Sequence, residues 1–103
     1  MLLAAGEGDS AGSRPVFIAH AAPGAPRTGF LLARRLREAG FRTETEQAGR
    51  SLKGQLKQAD RIGAFVTVIL GDSIEVKNME TGEQREAAAL DDVVGMVEEA
   101  RRA

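Results

Sequence analysis

Arg50, Lys53, Lys57 and Arg61 recur at intervals of three and four residues. At about 100° per residue, a helix gathers these four cations within roughly 80° on one side. Leu52, Leu56, Ala59 and Ile62 fall on the other side. Ser51 stands where an N-cap belongs, so the helix is expected to begin at Leu52. Its first turn is poor as helix. Lys53 sets a cation at the positive end of the macrodipole, at a cost of about 0.3–1 kcal/mol. Gly54 costs about 1 kcal/mol relative to alanine, and it lies inside the basic stripe. Two local penalties in one turn mark a candidate functional site. Positive charge, the free N–H groups of a helix terminus and a bare backbone at Gly54 together suit a phosphate. The plain alternative is a solvated basic face on a surface helix, and these residues alone leave both readings open.

Other chemistry finds little support. His20 is the only histidine, with no nucleophile elbow nearby and no second metal ligand at a workable spacing. The carboxylates Asp72, Glu75, Glu80, Glu83 and Glu86 are scattered, with no apolar surroundings to raise a pKa for acid–base work. Gly6, Gly8 and Gly12 lack the spacing and the preceding strand of a dinucleotide fingerprint. Gly24 and Gly29 flank a helix start, but no glycine-rich loop ending in Lys-Ser/Thr is present. Phe17, Phe41 and Phe65 lie in apolar, strand-like runs and are expected in the core, so an aromatic base-stacking platform is not expected. Binding is therefore favoured over catalysis.

The 103 residues suffice for one domain with a single core. A hydrophobic content of 43% with 28% charged residues is ordinary for a globular protein. The absence of cysteine excludes disulfides, thiolate-ligated zinc and a cysteine nucleophile, and it fits a reducing, cytoplasmic setting. The longest apolar run, Ala64 to Leu70, is too short to span a membrane, and MLLAAGEGDSAGS has no positive n-region. The net charge of −1 conceals an asymmetry. Arg14 to Ile62 holds ten basic and four acidic residues, whereas Gly63 to Ala103 holds four and nine. One basic face is compatible with nucleic acid, and equally with internal pairing.

The elements that must carry the basic stripe follow from periodicity and punctuation. Residues 1–14 read as a linker or the remnant of a preceding connecting helix, and 15–103 as an α/β domain. VFIA (16–19) is the first strand, and His20 to Arg27, with two prolines, is a loop. A helix is expected from Thr28 to Ala39, with Leu32, Leu36 and Ala39 inward and Gly40 as its stop. FRTETE (41–46) alternates as a half-exposed strand, which completes a βαβ unit. After the basic helix, FVTVIL (65–70) reads as a central strand covered on both faces. Ile74 to Met79 and Glu83 to Ala88 complete the strands, with a turn at Thr81-Gly82. Leu90, Val93, Val94 and Val97 give the spacing of a closing helix. The order β-α-β-α-β-β-β-α predicts a mixed sheet with helices on its faces.

Three blocks resemble a known family: GRSLKGQLKQADRIGA (49–64), VILGD (68–72) and VKNMETGEQ (76–84). Together with VFIA and LARRLREAGFRTE (32–44), in order and spacing, they resemble the C-terminal anticodon-binding domain of bacterial histidyl-tRNA synthetase. The resemblance runs from about Val16 to the end of the chain. It implies a mixed sheet of about five strands with three helices. It also implies binding to the anticodon region of histidine tRNA, with no role for DNA or a membrane. The parent it implies is a homodimeric synthetase that uses ATP and Mg²⁺ on a catalytic domain outside this chain, so no cofactor and no catalytic residue are expected here. Two segments depart from the pattern: 71–76 is short, and 20–26 is proline-rich where the family is acidic. On this reading Arg50, Lys53 and Lys57 contact phosphates, and Ser51 and Arg61 belong to the same RNA-binding surface. Gly54 permits close backbone approach, and Gln47 or Gln55 reads a base edge. The alternative is a protein-contact or dimerisation domain without direct RNA contact, which predicts an exposed apolar patch.

Overall fold

The computed structural model describes residues 14–46 and 49–102. Its elements are β1 (Val16–His20), α1 (Ala25–Glu38), β2 (Thr43–Thr45), α2 (Leu52–Arg61), β3 (Val66–Leu70), β4 (Ile74–Asn78), β5 (Gln84–Ala87) and α3 (Leu90–Arg102). The five strands form one mixed sheet in the order β2-β1-β3-β4-β5. β1 runs parallel to both β2 and β3, whereas β3, β4 and β5 pair antiparallel. The α/β architecture expected from the sequence is the one observed.

Apolar residues on both faces of β1 and β3 explain the layering. Val16, Ile18, Val66 and Val68 point to one face and join Leu32 and Leu36 of α1 and Val93 and Val97 of α3. Phe17, Ala19 and Ile69 point to the other face and meet Ala59, Leu56 and Ile62. The fully buried aliphatic side chains contribute about 1.5–3 kcal/mol each. α1 and α2 therefore lie on opposite faces of the sheet. Since β1 sits between β2 and β3, the chain reverses its direction of travel across the sheet at β1. Beyond the carboxyl ends of strands at such a reversal, an open α/β sheet leaves a crevice. His20 ends β1 there, and Glu46 follows β2 there.

Three boundaries differ from expectation. α1 begins at Ala25, not Thr28, with Gly24 as N-cap and Pro26 in the first turn. A proline in that position loses no hydrogen bond, because the first N–H groups of a helix lack intrahelical partners anyway. The proline-rich stretch is thus partly the start of α1. β2 is limited to three residues within the expected 41–46. Phe41 leaves the strand to pack near Phe65, with ring centroids 6.4 Å apart, beneath the Arg101 guanidinium. Arg14, expected in the linker, is tied to the domain: its Nε donates to the Gly63 carbonyl at 2.9 Å, and it pairs with Glu80. Residues 1–13, the rest of the expected linker, lie outside the described residues.

Candidate nucleic-acid interface

The crevice holds a cleft of about 390 Å³ walled by three parts of the chain. His20 supplies its floor, Ala22, Pro23 and Pro26 one side, and Glu46, Gly49, Arg50 and Gln55 the other. Ser51 caps α2 as expected: its Oγ accepts from the Gly54 N–H at 3.2 Å, and the helix starts at Leu52.

Gln55 faces inward and is 2% exposed. Its Oε1 accepts from the His20 N–H at 2.7 Å. Its Nε2 donates to the carbonyls of His20 at 2.9 Å and Arg50 at 2.8 Å. The side-chain amide thus bonds the last residue of β1 much as a neighbouring strand would. Both of its N–H donors are committed, so the base-reading role expected of Gln55 does not match its placement. The helical phase carried a signal of this. Gln55 lies between Ala59 and Ile62 in angle, about 160° from both Lys53 and Lys57. A polar residue on the apolar side of a helix needs buried partners. Gln47, the other expected base reader, lies outside the described residues.

Arg50 is tethered. Its Nε lies 3.2 and 3.3 Å from the two carboxylate oxygens of Glu46, and its backbone N–H donates to Oε2 at 3.1 Å. The Glu46 side chain is 2% exposed and that of Arg50 39%, so the guanidinium spans from a buried carboxylate to the cleft mouth. Sequence reasoning left Glu46 in a strand and assigned it no role. Gly54 has an intramolecular reason: a Cβ there would sit 3.3 Å from Arg50 Cβ and 3.6 Å from its Cδ. Its bareness lets the Arg50 stem lie along the first turn of α2.

All four cations of the stripe are exposed, and Lys53 and Lys57 have no ion-pair partner among the described residues. Arg61 lies at the far end of α2 and reaches Gln58 Oε1 at 3.4 Å. Sequence reasoning also left Phe30 unassigned. It stands on α1 with 63% of its surface exposed.

His20 has a buried Nε2 with no hydrogen-bond partner among the described residues. Its ring lies against Gly29, where a Cβ would come within 2.8 Å of Nε2. Burial lowers the imidazole pKa below the ordinary 6.5, and the Glu46 carboxylate offsets part of that. Between the lowered value and 6.5, the unfolded chain binds a proton that the folded one does not. This contribution to stability is therefore complete above about pH 6.5 and is lost as pH falls through the lowered value. The chain has one histidine. An NMR pH titration of its ring is expected to show a midpoint below 6.5, and a midpoint above 6.5 would contradict the buried placement.

The sequence profile of a family described as "Anticodon binding domain" matches residues 28–100, most of the chain. The chain belongs to that family. The histidine–tRNA ligase of Nocardia farcinica is 41% identical to this anticodon-binding domain over 94% of the chain and 25% of the ligase. That of Halothermothrix orenii is 48% identical over 60% of the chain and 16% of the ligase. The crystal structure of apo Staphylococcus aureus histidyl-tRNA synthetase superposes with a TM-score of 0.71 at 38% identity, over 80% of this chain and 25% of that one. The anticodon-binding domain thus spans a quarter or less of the length of these relatives. Among its described residues, no group of three side chains is placed to hold a metal ion, and no helix is long and apolar enough to cross a membrane.

Proposed function

We propose that this domain binds the anticodon region of histidine tRNA and positions the tRNA for aminoacylation by a catalytic domain elsewhere in a longer, homodimeric synthetase. ATP and Mg²⁺ belong to that catalytic domain. One observation carries the reading: Lys53 and Lys57, without an ion-pair partner among the described residues, line the exposed side of α2, whose N-terminus forms one wall of a cleft at the sheet's reversal point. Phosphates meet the lysines and the tethered Arg50, and an unstacked anticodon base enters the cleft, since RNA loops offer splayed bases to polar and apolar walls alike. The family and the histidine–tRNA ligase relatives support the same reading.

The test is a titration of the chain with histidine tRNA and an anticodon-substituted tRNA across salt concentrations. Lys53→Ala is expected to weaken both complexes alike and to lower the salt slope by roughly 0.7–0.9. Binding that ignores both salt and anticodon would remove the proposal.

The protein-contact alternative predicts a continuous apolar patch. The large exposed apolar side chains on α1 are Phe30 and Leu31. They diverge by about 100° around the helix, and Arg27 and Arg34 fall between them in angle. Charged groups interrupt the patch that this alternative needs.

A further inference from the structure

We propose that Phe30 is a stacking platform for an unpaired base of the bound RNA, with Arg27 and Arg34 contacting the phosphates beside it. The proposal rests on the RNA-binding reading above and extends the surface from the cleft onto α1. Phe17, Phe41 and Phe65 are 2%, 4% and 9% exposed, whereas Phe30 is 63% exposed. The buried side of α1 is made by Ala25, Gly29, Leu32, Ala33 and Leu36, so Phe30 points away from the core.

Its direction follows from neighbours on the same helix. Phe30 lies one turn beyond Pro26, which lines the cleft, and is rotated from it by about 40°. Arg37 lies about 20° from Phe30 in angle, and its guanidinium donates to the Thr43 carbonyl of β2 at 2.8 Å. This side of α1 therefore looks toward the β2 edge, the strand that leads into Glu46 and the cleft. A chain of nucleotides leaving the cleft past Pro26 meets Phe30 next.

Charge selects the occupant. Arg27 has no ion-pair partner among the described residues. Arg34 comes only within 3.9 Å of Glu38, and both side chains are largely exposed. An apolar protein surface covering Phe30 and Leu31 would bury the Arg27 guanidinium without a carboxylate among the described residues, and that of Arg34 with only the long contact to Glu38. RNA presents a flat π-face and phosphates together, which match an aromatic ring flanked by arginines one turn to either side.

The experiment uses the full chain, the anticodon stem-loop of histidine tRNA, and the variants Phe30→Ala, Phe30→Leu and Phe30→Trp. The chain contains no tryptophan, so Phe30→Trp introduces a single emission probe at the site. Phe30→Ala and Phe30→Leu are expected to lose about 5- to 100-fold in affinity with unchanged melting temperature. Phe30→Trp is expected to retain affinity, with its emission quenched as RNA saturates. Leucine binding as well as phenylalanine, or tryptophan emission indifferent to RNA, overturns the platform. Unaffected RNA binding by Phe30→Ala, with Lys53→Ala still weakened, removes the platform and leaves the RNA-binding reading standing. A wild-type chain without salt-dependent RNA binding removes both. Weakened association of Phe30→Ala with the catalytic part of a synthetase, without loss of RNA affinity, assigns the ring to protein contact and also overturns the platform.

Discussion

Gln55→Leu is expected to destabilise the domain by about 2–4 kcal/mol, measured as a lowered urea midpoint with an unchanged slope. Leucine fills a similar volume but meets neither the His20 N–H, the His20 carbonyl nor the Arg50 carbonyl, all three of which the amide now satisfies. A buried polar group left without a partner costs about 1–3 kcal/mol, and carbonyl oxygens at the cleft recover part of that from water. Against a typical total of about 5–15 kcal/mol the loss is large. It falls at the joint between β1 and α2, the two elements that carry the floor and one wall of the cleft. Gln55→Glu is a sharper comparison. It keeps the acceptor for the His20 N–H, but sets a carboxylate oxygen against two carbonyls. Destabilisation at least as large as that of leucine is expected. If both variants unfold at the wild-type midpoint and only anticodon discrimination falls, then Gln55 reads a base after all.

Glu46→Gln tests whether Arg50 is held in place for RNA. The substitution is expected to cost about 1–3 kcal/mol of stability. That is less than the 3–5 typical of a broken buried ion pair, because Arg50 is 39% exposed and can turn to water. The sign of the effect on RNA is the informative part. Removing a negative charge beside a phosphate-binding face tightens binding on Coulomb grounds alone. Loss of the contacts that aim the guanidinium weakens it. A severalfold loss of affinity for histidine tRNA is expected, despite the gain in positive charge. Arg50→Gln added to Glu46→Gln is then expected to cost little more, since the two act as a unit. Tighter binding by Glu46→Gln would show that Glu46 only screens the site.

The element order and the location of α2 were legible from local rules. VFIA and FVTVIL are β-rich runs that belong in the centre of a sheet, and they became β1 and β3. Ser51 announced the N-terminus of α2 through a bond that spans three residues, which local sequence encodes well. The spacing of Arg50, Lys53, Lys57 and Arg61 marked the outward stripe before any fold was known. Even the inward phase of Gln55 was written in its position between Ala59 and Ile62, although the identity of its partners was not. The prolines of 20–27 misled, because the same residue type marks a loop and the first turn of a helix.

By itself, then, the sequence determined the α/β order, the two-sided apolar strands, the cap of α2 and its cationic face. These depend on residues within a few positions of one another. Only the tertiary structure decided how the site is held. Gln55 bonds His20 across 35 positions, and Gly29 makes room for the His20 ring. Gly54 yields its space to Arg50, and Glu46 leaves β2 to meet that arginine. Such contacts form when strands from distant parts of the chain pair and carry their ends to one crevice. Residue types and spacing set what each side chain offers, but packing sets which partner it meets.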